Sequence, residues 1–379
     1  MTITHTDSID HFIRQLREFE PAGVPVLTVT SDLGVGGDGR PTALRMLRQA
    51  MREGIDRYPA AASFSADRDW LDDEAEALET VIEEATARGA AGLAYVGAAG
   101  TGFLTTIETA YPLRNAIDID ERPCLFELVR YRYLVGGAVV LASISVREVD
   151  LMRVRYGVTE VTERVDPPER LEKLKQRSKR EGFGAADGSG GHAMNRVQQH
   201  IERRRVVFAH EAAEHIARLA EPGDIVLLAG VDSARSAIRR QLPQTLRTVA
   251  ADAPALDPTE DERTRTAWLT DIVVEAQYAA GDEAAARWFG GEWLERAEGG
   301  LDAGLKLAEQ GRLGTILLHE DAVDHFGDAA DVRSHVPHHD PRQVEALTRA
   351  ALDQGAELFI TRDPRALSQH QGVLSVARF

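Results

Sequence analysis

Five of the ten residues from Gly182 to Gly191 are glycine, and this run constrains the fold more than any other stretch. Glycine weakens strands and helices and releases the backbone into positive φ, so the run Gly182 to His192 reads as a loop. The segment before it is different in kind. Ala138 to Val146, Glu148 to Tyr156 and Val158 to Val165 are rich in β-branched residues and separated by short turns, the pattern of an antiparallel meander, which Pro167 and Pro168 then stop. The segment after it differs again. From about Ala193 to Leu219 the apolar positions Val197, Ile201, Phe208, Ala212, Ile216 and Leu219 recur at helical spacing, and Glu221, Pro222 and Gly223 end the run. A sheet, a glycine loop and a long helix are therefore expected in that order.

Charge singles out the same stretch. The chain carries a formal net charge of −17, which argues against a general nucleic-acid binder. Between Lys173 and Arg205, however, nine basic residues (Lys173, Lys175, Arg177, Lys179, Arg180, Arg196, Arg203, Arg204 and Arg205) face only Glu181, Asp187 and Glu202. A glycine tip that presents bare amides, set on a root of lysines and arginines that can hold phosphates, suits a chain that inserts backbone into a cavity lined by nucleic acid. A solvated helix face and a surface loop account for the same residues.

The 379 residues exceed one ordinary core, and the patterning suggests three regions of an α/β chain: 1–135, 136–255 and 256–379. In the first, Ser8 to Phe19 is an amphipathic helix, Val24 to Thr30 a strand, Thr42 to Tyr58 and Asp73 to Arg88 helices, and Ala91 to Val96 a strand, with further β segments up to about Asp120. Gly34, Gly36, Gly37 and Gly39 formally contain G-x-G-x-x-G. Pro41 fits the first helical position and leaves every glycine in the loop, so a plain loop is expected there rather than a dinucleotide site. After the long helix come a strand at Ile225 to Ala229, a helix at Ser233 to Leu242, a strand at Leu246 to Ala250 and a linker at Ala251 to Asp261. The last region reads as helix from Glu262 to Gln310, strand from Gly314 to Leu318, helix from Pro341 to Gln354, and strands at Ala356 to Thr361 and Val373 to Phe379. That alternation suggests an α/β/α sandwich.

No apolar run approaches the length of a membrane span, the N-terminal residues have no signal-peptide pattern, and Cys124 is the single cysteine. A cytoplasmic protein without internal disulfides and without membrane partners is expected. Other chemistry finds little footing. His210, Glu211, Glu214 and His215 spell HEAAEH, but histidines five residues apart point about 140° away from each other on a helix and cannot share a zinc ion. His319, His325, His335, His338 and His339, with Asp321, Asp324 and Asp340, match no recognised metal spacing, although a metal-dependent hydrolase or nuclease built on them stays open. Ser189 and Ser233 lack a nucleophile elbow, and no P-loop is present, so no cofactor is expected. In Gly188 to His192, the backbone amides can face a developing oxyanion or an attacking water, and the imidazole of His192 can donate a hydrogen bond or, when neutral, accept a proton.

The order of these elements resembles the archaeo-eukaryotic class 1 release factor superfamily, which includes the Pelota-type ribosome-rescue factors, and within it the divergent bacterial members. In that superfamily a middle domain carries a β-meander, a basic stretch, a glycine loop bearing Gly-Gly-Gln and a long basic helix, and the third domain is an L7Ae-like sandwich. Here Gly190 and Gly191 fall on the two glycines and His192 on the glutamine. The resemblance implies a translation factor whose glycine loop points at the peptidyl transferase centre, with the nine basic residues on rRNA or tRNA. Its implied partners are the ribosome, P-site tRNA and a translational GTPase. Two departures separate this chain from the codon-reading members: no Asn-Ile-Lys-Ser type motif precedes Gly136, and histidine replaces glutamine. The resemblance then implies A-site occupancy in hibernation or rescue, with peptidyl-tRNA hydrolysis through Gly190, Gly191 and His192 as the alternative.

Overall fold

The computed structural model describes residues 4–5, 8–20, 23–34, 47, 51, 68–145, 148–166, 190–253, 261–289, 291, 295–322, 339–363 and 367–379. The chain is α/β, with three sheets formed in three successive regions. By contacts it divides into two compact units, Met1–Gly136 with Val274–Phe379, and Gly137–Val273.

The first unit holds two sheets. In the N-terminal region, β1 (Thr4–His5), β2 (Val26–Asp32), β3 (Gly92–Ala98), β4 (Leu104–Thr109) and β5 (Ala116–Asp120) form a sheet in the order β1-β4-β3-β2-β5, antiparallel except for β1 with β4. Helix α1 (Ile9–Arg17) buries Ile9, Phe12, Ile13 and Leu16, the stripe its sequence spacing marks out. Helix α2 (Arg68–Ala87) lays Leu71, Leu78, Val81, Ile82 and Ala85 on Leu27, Val29, Leu93 and Tyr95 of the sheet. Helix α3 (Phe126–Val135) is not announced by any sequence pattern. Eight of its ten residues are buried, among them Glu127 and Arg130, so it shows no polar face and no amphipathic period.

The C-terminal sheet of this unit has the order β11-β14-β12-β13, from β11 (Ala297–Gly299), β12 (Leu313–His319), β13 (Glu357–Thr361) and β14 (Val373–Ala377). Strands β12 and β13 are parallel and joined through helix α9 (Pro341–Gln354). Helices α8 (Leu301–Glu309) and α9 bury Leu301, Leu307, Val344, Leu347 and Ala351 with Leu313, Ile316 and Leu318. Ala284 and Ala285 of helix α7 (Glu262–Phe289) pack with Leu317 and Leu374. Gly281 permits the close approach of α7 to β13, because a Cβ there would collide with the Ile360 carbonyl oxygen. The stretch from Glu262 to Gln310, expected to be nearly all helix, holds two helices separated by the short strand β11.

Helix α3 ties the two sheets together. The carboxylate of Glu345 on α9 accepts from the backbone N–H groups of Leu125 and Phe126 at 2.8 and 2.9 Å, capping α3 from a distant element. Phe126 sits in the C-terminal core. Nearby, burial together with Asp120 and Glu345 pushes the Asp118 carboxyl up to about 7, against the opposing pull of Arg342. A carboxyl raised on folding stabilises below its unfolded value near 4, and that contribution is lost as pH rises towards 7. Asp118→Asn, which cannot ionise, is therefore expected to flatten the loss of stability between pH 4 and 7 and to gain about 2 kcal/mol at pH 8. Thermal unfolding of both proteins across that range checks it. Parallel stability profiles would contradict it.

The second unit is built on the order β10-β9-β6-β7-β8, from β6 (Ala138–Ile144), β7 (Val149–Arg155), β8 (Val158–Val165), β9 (Ile225–Gly230) and β10 (Ala250–Asp252). Strands β6, β7 and β8 are the expected antiparallel meander, and β9 and β10 add in parallel beside β6. Helix α4 (Gly190–Leu219) and helix α5 (Asp232–Gln241) cover one face, and the start of α7 covers the other with Leu269 and Val273. Residues 244–249 form helix α6 (Gln244–Val249), and only Ala250–Asp252 extend as strand, which corrects the strand expected from Leu246 to Ala250. Gly230 closes β9 at φ +112°, and a Cβ there would collide with the Ile144 carbonyl oxygen, so only glycine fits.

Candidate nucleic-acid interface

Helix α4 has 30 residues, about 45 Å of helix, and it is anchored at its C-terminal end. Ala209, Ala212, Ala213 and Ile216 are buried against Ala142, Ile144, Val149, Leu151, Val226 and Leu228. Small residues at three of those positions let the helix lie close to the strands. Polar contacts complete the anchor. Glu163 on β8 takes His215 Nδ1 at 2.7 Å and Arg218 Nη2 at 2.6 Å. Burial pushes the Glu163 carboxyl up, but its hydrogen bonds to Arg218 and His215 outweigh that and hold it below the ordinary range.

Arg203, Arg205, Val206 and Val207 are exposed, the two valines at 53% and 56%. A pair of bare β-branched residues beside exposed arginines is a surface with both charge and apolar area to offer a partner. Arg196 and Arg204 also lie on α4. Lys173, Lys175, Arg177, Lys179 and Arg180 lie outside the described residues, as do Gly188 and Ser189.

Gly190, Gly191 and His192 form the first turn of α4, which corrects the expectation of a loop ahead of Ala193. The difference is physically small. Glycine is costly in a helix interior, while the first-turn N–H groups make no intrahelical bond in any case. The consequence is chemical: amides in a first turn point out of the helix end and carry its positive dipole, so they can meet an anion or a developing oxyanion.

Further arginines carry no sequence signal of a site. On α5, Arg235 and Arg239 turn back onto Asp252, Arg239 at 2.8 Å, and are held by it. Arg240 is exposed, and Arg247 of α6 donates to the Arg240 and Leu242 carbonyl oxygens. These arginines are scattered through an ordinary amphipathic helix, and nothing in their spacing distinguishes them from a solvated face.

The HEAAEH histidines diverge as their spacing requires: His210 pairs with Glu214 at 3.3 Å in solvent, while His215 faces β8. Of the C-terminal histidine and aspartate cluster, residues 323–338 lie outside the described residues. His319 Nδ1 accepts from the Asp321 N–H at 3.1 Å, and His339 Nε2 lies 2.5 Å from the Gln371 carbonyl oxygen. Among the described residues no three metal-ligating side chains come together, and no helix is long and apolar enough to cross a membrane. The glycines at 36–39 also fall outside the described residues.

No family model and no curated protein matches this chain. Solved structures do. The archaeal translation termination factor aRF1 is similar over 100% of this chain and 99% of its own, at 15% identity and a TM-score of 0.25. Pelota from Archaeoglobus fulgidus is similar over 76% of this chain and 79% of its own, at 14% identity and a TM-score of 0.36. Archaeal Pelota, in a model of its ribosome-bound form with ABCE1, is similar over 99% of this chain and 95% of its own, at 11% identity and a TM-score of 0.40.

Proposed function

We propose that this protein is a translation factor that enters the ribosomal A site and directs the N-terminal end of α4 at the peptidyl transferase centre. The observation that carries the reading is the long helix anchored over its C-terminal part, with exposed Arg203 and Arg205 along it and the Gly190-Gly191-His192 turn at its N-terminal end. Bare amides at a tip and cations on the stem match a tunnel whose walls are phosphate and whose end is an ester. The basic window on a chain of net charge −17 supports it, because long-range attraction to RNA is then confined to one element.

Occupancy without chemistry, as in hibernation or rescue, is the preferred activity. The side chain at the third position of the turn is an imidazole, and no codon-reading motif precedes Gly136. Chemical footprinting of 23S rRNA tests the placement. Protection of A-site and peptidyl-transferase nucleotides by the intact protein is expected, and an unchanged pattern would contradict it.

The second reading is peptidyl-tRNA hydrolysis, favoured by the first-turn amides. A single-turnover release assay on peptidyl-tRNA-loaded ribosomes separates the two. Release that disappears in Gly191→Ala would establish the hydrolase, and no release above the ribosome-only control is expected for occupancy. A C-terminal region that docks a translational GTPase completes the proposal.

A further inference from the structure

The first unit contains a cavity of about 260 Å³ walled by side chains from five separate stretches of chain. Arg114 and Asn115 come from the β4–β5 loop, Arg130 and Tyr131 from α3, Tyr278 from α7, and Arg362 from the end of β13. Leu134, Val135 and Val274 give it an apolar side. Three guanidiniums in one small cavity are unusual, because each charge taken from water must be matched.

Two of them share Glu320, and each has a further partner: Arg362 Nη1 pairs with Glu275 Oε1 at 2.7 Å, and Arg114 Nη1 donates to the Glu320 carbonyl oxygen at 3.0 Å. Glu320 Oε2 takes Arg114 Nη2 at 3.1 Å, Arg362 Nε at 3.3 Å and the Tyr278 hydroxyl at 2.7 Å. Burial would raise the Glu320 carboxyl, but the Tyr278 hydrogen bond and the three arginines outweigh it and hold the group ionised below its ordinary range. The Arg362 guanidinium also lies 3.5 Å over the Tyr278 ring, which fixes its plane.

Arg130 is less well served. Its side chain is only 10% exposed, yet its contacts to Glu127 at 3.3 Å and to the Tyr278 hydroxyl at 3.4 Å are both at the long end of hydrogen bonding, and its Nε has no partner. A buried, under-coordinated guanidinium on a cavity wall is a ready anion donor.

We propose that this cavity binds a small phosphorylated ligand of mononucleotide size, its phosphoryl group taken by Arg130 with Arg114 and Arg362. A phosphoryl group offers three oxygens and up to two charges to three guanidiniums, a better match than a carboxylate. Asp32 lines the same cavity and can accept from a ligand hydroxyl, which favours a sugar phosphate over bare phosphate. The ligand would bridge segments from both halves of the unit, and its binding is independent of any ribosome contact.

The test is calorimetric titration of the full chain with AMP, GMP and inorganic phosphate at constant ionic strength. One saturable site is expected, with a mononucleotide about tenfold tighter than phosphate and a matching rise in Tm. Arg362→Gln, at a partly exposed position, and Arg130→Gln should each weaken binding by about tenfold or more. No saturable heat up to about 5 mM of any probe, or unchanged affinity in a folded Arg362→Gln protein, would overturn the proposal.

Discussion

Arg203→Glu combined with Arg205→Glu is expected to weaken binding to vacant ribosomes by roughly a hundredfold at moderate salt. Both residues are exposed on the part of α4 that lies beyond its anchor, so the change should leave the fold and its circular dichroism intact. Counterions set the size of the effect. Each phosphate contact releases condensed cations, so two lost contacts should lower the slope of log affinity against log salt by about 2. Charge reversal adds repulsion, which is why the loss exceeds simple removal. Arg287→Glu, an exposed site on α7 paired with Glu283, is the control and should bind as the parent does. Equal losses in both variants would mean that overall charge, not α4, governs association. No loss in the double variant would remove α4 from the interface.

Arg153→Met should cost about 3–5 kcal/mol, lowering the Tm of the second unit by on the order of 10 °C. Arg153 is buried on β7 and holds three carboxylates: Asp224 at 3.1 Å, Glu221 at 2.9 Å and Glu160 at 2.5 Å. It thereby joins β7, β8 and the turn between α4 and β9. Asp224 is itself buried, so without the guanidinium its charge keeps, among the described residues, the Glu221 N–H at 2.9 Å. A second change separates the stranded charge from lost packing: adding Asp224→Asn to Arg153→Met should recover part of the deficit in urea unfolding. An equal deficit in both variants would point to lost packing rather than a stranded charge.

The elements legible in the sequence are those whose signals are local. Helix α9 runs from Pro341 to Gln354 as expected, because Asp340 accepts from the Arg342 N–H, proline opens the first turn, and Gly355 ends it at φ 62°. The meander of β6, β7 and β8 is legible from its β-branched residues and tight turns, and the core stripe of α1 from its period. Helix α3 is not legible, since Glu127 and Arg130 pair inside the protein and erase the polar face that would mark a helix. Leu246 to Ala250 reads as strand because Leu246, Thr248 and Val249 mimic β composition over a run too short for periodicity to decide. In the candidate interface, the stretch itself is legible from glycine and charge, and the support under it is not. The salt link from Glu163 to His215 and Arg218 and the small-residue seat of α4 depend on strand neighbours far away in sequence. The arginine cavity lies beyond sequence reasoning altogether, because Arg114, Arg130, Tyr278, Glu320 and Arg362 share no spacing and meet only through the fold.

Association with the ribosome through α4 can be put to a direct trial by sucrose-gradient co-sedimentation with vacant 70S ribosomes across a salt series. Stoichiometric binding is expected at low salt, falling steeply as salt rises, with a shallower fall in the Arg203→Glu, Arg205→Glu protein. Absence of the intact protein from the 70S fraction even at the lowest salt would contradict that association.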